Sequence, residues 1–228
     1  MKTYLILFGL CAVLTTLASI GIFVSTPEKP SYQQQLINAG FQGKYQPVKT
    51  LFDENKGRLF WLNMLGEIHS IGRDMQNHRL ISTTGEGWKD VTFIEDFCLS
   101  EHYDSLYFTD IMDLQTGMSA LKVTDTAGTA VKALKFFRQE IPYAVRMLNE
   151  SRLLFLLSDA KVAGRSQFRL RFLDLKDGNA GVLYISDHRI EQLEIKAAEK
   201  TIVAHDSQQQ LISFSTEVDQ FINTIFEQ

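Results

Sequence analysis

From residue 48 onward the chain alternates short apolar runs with polar turns, and the runs are rich in β-branched and aromatic residues. That pattern predicts strands. They are expected at Val48–Phe52, Leu59–Asn63, Glu67–Gly72 and Arg79–Ser82, then at Val91–Leu99, Leu106–Asp110, Ala120–Val123 and Val131–Phe137. The series continues with Tyr143–Leu148, Phe155–Asp159, Phe168–Leu173, Val182–Ser186, Ile190–Ile195, Ile202–Asp206 and Leu211–Phe214. Two helical patterns flank it. Tyr32, Leu36 and Ile37 recur at helical spacing behind Ser31, a residue able to cap a helix, and that helix should end near Gly40. Val218, Phe221, Ile222 and Ile225 recur in the same way near the C-terminus, behind Thr216 and Asp219, which resemble a capping box.

The strands repeat as a set. Four segments share an apolar run that ends in a small polar or acidic residue: Leu59–Asn63, Leu106–Asp110, Phe155–Asp159 and Ile202–Asp206. Their ends, 63, 110, 159 and 206, are spaced by 47, 49 and 47 residues. Each has an apolar strand before it and another after it, and three are followed by a fourth strand. Four strands in about 47 residues is the size of one propeller blade.

Leu106-Tyr107-Phe108-Thr109-Asp110 resembles the YWTD signature of six-bladed propellers, and Gly57-Arg58-Leu59-Phe60-Trp61 is similar to the turn and strand leading into it. Phe168 to Leu175 with Asp177-Gly178 looks like an inner strand entering its hairpin. The resemblance, to YWTD- and TolB-like blades, runs over residues 48–214. It implies an all-β domain of four propeller-like blades. Closure is left open between a four-bladed ring, an open array and two chains sharing a larger ring.

Residues 4–24 carry no charge over 21 positions. At about 1.5 Å per residue, such a helix crosses a hydrocarbon core about 30 Å thick. An uncleaved anchor or a cleaved signal is expected over residues 1–25, a linker with a short helix over 26–47, and the propeller-like domain over 48–228. Lys2 before the span favours a cytoplasmic N-terminus and an exported domain, which in a bacterium lies at the periplasmic face of the inner membrane. With 27 acidic against 23 basic residues, no nucleic-acid partner is expected. Of the two cysteines, Cys11 lies in the apolar run and Cys98 stands alone in the domain, so no internal disulfide staples it. Cys98 is expected as a small buried apolar residue.

Candidate chemistry is sparse. Asn63, Asp110, Asp159 and Asp206 close equivalent strands, and if they faced one opening of the axis they could hold a divalent cation, calcium above all. Glu67 and His69 share a strand face and supply two metal ligands at most, so a solvated face is expected there. His205-Asp206-Ser207 cannot align as a triad, because strand neighbours point to opposite faces. Asp174 to Asn179 is expected as a hairpin turn, since Lys176 and Gly178 stand where an EF-hand needs other residues. Gly85-Glu86-Gly87 carries no nucleotide reading. The acidic set Asp90, Glu95, Asp96, Glu101 and Asp104 is expected in solvent, and His102 in a turn. Trp61, Tyr107 and Phe155 are expected to pack between blades.

The expected function is a non-catalytic protein-interaction module held at the outer face of a membrane, with a protein partner or a homodimer. The alternatives are a metal-dependent hydrolase or lyase acting at the axis, and a structural subunit of an envelope or secretion assembly.

Overall fold

A computed structural model of the chain describes residues 31–82, 93–100, 104–147, 153–196, 201–208 and 211–215. The apolar run 4–24, Gly85-Glu86-Gly87, Asp90, Glu101, His102 and the apolar positions 218–225 lie outside them. Among the described residues no helix is long and apolar enough to cross a membrane.

Among the described residues, helix α1 (Tyr32–Asn38) precedes fifteen strands. Strands β1 (Pro47–Asp53), β2 (Arg58–Asn63), β3 (Ile68–Gly72) and β4 (Arg79–Ser82) form the first sheet, in that order. The second holds β5 (Phe93–Leu99), β6 (Ser105–Asp113), β7 (Met118–Asp125) and β8 (Lys132–Phe137). The third holds β9 (Glu140–Met147), β10 (Leu153–Val162), β11 (Arg165–Asp174) and β12 (Ala180–Ser186). In the fourth, β13 (Ile190–Lys196), β14 (Thr201–Asp206) and β15 (Leu211–Ser215) are described. Every sheet is an antiparallel meander whose neighbours in space are neighbours in sequence.

Alternation along each second strand sorts residues onto two faces. Phe60 and Leu62 of the first sheet meet Ile94, Phe97, Leu106 and Phe108 of the second. Tyr107 and Cys98, on the other face of the second sheet, meet Val145, Leu154 and Leu156 of the third. Phe155 and Leu157 in turn meet Ile190, Ile202 and Ala204 of the fourth. Burying each such large side chain contributes about 1.5–3 kcal/mol, so the three interfaces are the main source of stability. The expectation for Tyr107 and Phe155 holds. Trp61 departs from it: it is one residue out of step with them and points to the opposite face of its sheet.

Among the described residues, that face of the first sheet meets no other sheet. Leu59, Trp61 and Ile71 pack with Leu36 of α1, and Tyr32, Phe41, Phe52 and Met75 close the cluster. Leu36 is the buried residue of α1. Tyr32 stacks on Phe52 with ring centroids 4.8 Å apart, and Phe41 sets its edge on Trp61 at 4.8 Å. The segment from Tyr32 to Phe41 thus occupies the place that a preceding sheet takes at the other three.

Candidate functional site

The first strand of every sheet carries one unpaired residue. Pro47 pairs with Asn63 and Lys49 with Leu62, which leaves Val48 bulged. Ile94 pairs with Asp110 and Asp96 with Thr109, leaving Glu95. Pro142 pairs with Ser158 and Ala144 with Leu157, leaving Tyr143. Ile190 pairs with Asp206 and Gln192 with His205, leaving Glu191. A bulge bends its strand and re-aims a side chain. All four bulge residues line a single pocket of about 500 Å³, together with Lys49, Asp96, Arg146 and Arg189. The pocket is therefore the place where the first strands of the four sheets converge.

Its charged groups tie those strands together. Asp96 on β5 accepts from Lys49 Nζ of β1 at 2.5 Å and from Arg146 Nη1 of β9 at 2.5 Å. The Val145 amide donates to the same carboxylate at 2.9 Å. Lys49 also donates to the Phe97 carbonyl at 2.6 Å. Burial holds the Lys49 ammonium below its ordinary value even with Asp96 beside it. On the far side, Tyr143 donates to the Ile190 carbonyl at 2.8 Å, and the Arg189 guanidinium lies 4.3 Å from the centre of the Tyr143 ring. Burial pushes the Tyr143 phenol up to about 12. Burial also raises the Glu95 carboxyl, against the pull of Arg189. Glu95 and Asp96 are thus half-buried and buried, not solvated as the acidic set was expected to be.

The four strand-end residues named from the sequence are each engaged within their own sheet. Asn63 accepts from the amides of Leu65 and Glu67 at 3.0 and 2.9 Å and donates to the Glu67 carboxylate at 2.7 Å. Asp110 pairs with Lys122. Asp159 takes Lys161 at 3.4 Å and Ser166 at 3.3 Å, and Asp206 caps the Gln208 amide at 2.9 Å. Register adds a refinement. Asn63, Asp110 and Asp206 each pair with the residue before a bulge, and in the third sheet that position belongs to Ser158. Asp159 is one residue further and lines a separate open groove of about 820 Å³ with Leu114, Ile141 and Lys161. Among the described residues no three His, Cys, Asp or Glu side chains gather as metal ligands.

Glu67 and His69 do meet, at 3.2 Å, but their surroundings differ from a solvated face. His69 is buried, stacks on Trp61, and touches His78 Nε2 through its Nδ1 at 3.0 Å. Cys98 is buried, and burial pushes its thiol up to about 12. Asp174 to Asn179 is a hairpin turn, with Asp174 accepting from the Lys176 amide at 2.9 Å and Gly178 at φ +76°.

No protein-family model matches the chain, and no curated protein matches it. Solved structures do. A chain in the structure of a nidogen/laminin complex aligns with a TM-score of 0.53 at 15% identity over 75% of this chain and 64% of that one. The Malassezia sympodialis allergen Mala s 1 aligns at 0.56 and 10% identity over 75% and 60%. Oligogalacturonate lyase in complex with manganese aligns at 0.56 and 10% identity over 72% and 46%. With the meander sheets, these alignments fit a propeller-like fold, in which each sheet is a blade and the 500 Å³ pocket is axial. This chain spans about half to two thirds of the length of those relatives.

Proposed function

We propose that this protein is a non-catalytic binding module that receives a segment of a protein partner in the axial pocket. The observation that carries the reading is the convergence of the four bulge residues, one per blade, on one preformed opening. Inter-blade ties hold the walls in place, so little ordering is lost when a partner binds. The lining offers the partner an aromatic ring at Tyr143 and charges of both signs at Glu95, Glu191, Arg146 and Arg189. Asp96, the most buried carboxylate there, is taken up by Lys49, Arg146 and the Val145 amide, which suits a wall better than a general base. The similar chain in the nidogen/laminin complex shows such a fold within a protein complex, which supports the partner class.

The same proposal places the module at the outer face of a membrane, tethered through residues 4–24, on the strength of that uncharged run.

The test is crosslinking and affinity capture from the source cell with the full chain, comparing wild type with an Arg189→Glu, Glu191→Arg double variant. Both positions are exposed, so folding should be preserved. A protein captured by the wild type and lost from the variant is expected. Equal capture by both would remove the pocket from the reading. Recovery of the full chain in the soluble fraction would remove the tether.

A further inference from the structure

The hairpin between β3 and β4, residues Gly72–His78, lies against the segment that covers the first blade. Met75 inserts into the cluster of Leu36, Leu59, Trp61 and Ile71. His78 meets the Phe41 ring edge at 5.1 Å and, with His69, stacks on the Trp61 indole. Met75 and Asn77 hold φ of 60° and 56°, a region that residues other than glycine rarely enter, so the closed hairpin is maintained by its contacts. Arg58 Nη2 donates to the Asn77 carbonyl at 3.0 Å, and the Gly72 amide to the Gln76 carbonyl at 2.8 Å.

Besides its stacking on Trp61, His78 is joined to the blade by a polar contact between its Nε2 and His69 Nδ1, 3.0 Å apart. Two nitrogens at that separation share one proton. If both rings are charged, each nitrogen carries a hydrogen and the contact becomes repulsive. Glu67 Oε2, 3.2 Å from His69 Nε2, offsets one positive charge and has no counterpart for a second. Among the described residues, the other elements around the pair bring no further anion to it. Helix α1 has no charged residue in its first or last turn, and Lys44 lies over Tyr45. Arg73 lies over Phe52, and the Asp74 carboxylate acts on Arg58, which Arg79 opposes. The closed pair therefore holds at most one proton, whereas two separated imidazoles hold two in mild acid.

We propose that the Gly72–His78 hairpin is an acid-released strap, which in neutral solution fastens the Tyr32–Phe41 segment over the first blade and lets it go when both His69 and His78 are charged. Opening takes up one more proton than the closed state holds. The opening constant should accordingly rise about tenfold per pH unit below the imidazole range, or about thirtyfold from pH 7.5 to 5.

Hydrogen exchange on the full-length protein in detergent, with chelator present, tests this. The readout is the protection of the Ala39 and Phe41 amides, which donate to Gln35 and Leu36, after correction for the intrinsic pH dependence of exchange. Protection should fall about thirtyfold from pH 7.5 to 5 while the amides of β6 and β10 keep theirs. In His78→Gln, an exposed position, the pH response should vanish. Phe41→Ala should lower protection already at pH 7.5. A wild type without pH response, a response shared equally by β6 and β10, or an undiminished response in His78→Gln would each overturn the proposal.

Discussion

Lys49 and Asp96 come from the first strands of two different blades, and their 2.5 Å ion pair is extended to a third blade by Arg146 on the other carboxylate oxygen. Three of the four blades are therefore fastened at the axis by one carboxylate, which is 8% exposed.

The two partners should not be equally costly to remove. Asp96→Ala strands a mostly buried ammonium and leaves the Val145 amide without its acceptor, so a loss of about 3–5 kcal/mol is expected. Lys49→Met keeps the packing and leaves Asp96 with Arg146 and Val145, so the expected loss is about 1 kcal/mol or less. Urea denaturation of both variants checks the order. Equal losses would mean that the carboxylate does not organise the axis.

Acid should weaken the third blade through Glu140. Burial pushes this carboxyl up, but hydrogen bonds from Arg171 and Ser158 and the charges of Arg171 and Arg169 outweigh it, leaving the group below its ordinary value of 4.5. A depressed carboxylate contributes stability that is complete above the unfolded value and is lost as pH falls through the folded one. The denaturation midpoint should thus decline below about pH 4.5 in the wild type and decline less steeply in Glu140→Gln. The two curves should converge at low pH.

Cys98 should resist thiol reagents until the protein unfolds. With its thiol at about 12, it presents roughly a thousandfold less thiolate at pH 8 than a free cysteine. Labelling with iodoacetamide across a urea series should follow the unfolding transition measured by circular dichroism. Fast labelling of the native protein would show the thiol to be reachable.

Two glycines with similar backbones should respond differently to alanine. Gly57 sits at φ +58° with open space around it, so Gly57→Ala should cost about 1 kcal/mol from the backbone alone. Gly128, at φ +75°, would set its Cβ 2.4 Å from the Ile81 carbonyl of the first blade. Gly128→Ala should therefore cost clearly more, about 2–4 kcal/mol, because the hairpin has to leave its neighbour. Thermal melts of the two variants make the comparison.

The repeat, the strands and the short helix near residue 32 were legible because apolar runs and turn residues set them locally. The bulges were not. One extra residue per first strand demands no residue type, and Val48, Glu95, Tyr143 and Glu191 share none. Their spacing of 47, 48 and 48 was the available signal. Reading the repeat from the acidic strand ends instead placed the third one at Asp159. Pairing puts Ser158 there, and a shift of one residue turns a strand side chain to the opposite face. A separate offset grouped Trp61, two residues before Asn63, with Tyr107 and Phe155, which stand three residues before Asp110 and Ser158. His78 was out of reach for another reason: its partner His69 lies across a hairpin whose path depends on Met75 adopting a left-handed backbone that its residue type does not announce.

The α1 segment gives the row of blades a direction. For copies of this chain to add head to tail, Leu36 and Phe41 would have to leave the face that would receive another chain's fourth blade. A two-chain ring closed by rotation would need that joint twice, so the α1 segment of each chain would have to give way. A partner that contributes its own blades at this joint would likewise have to displace Leu36 and Phe41 before its sheet could pack on Trp61.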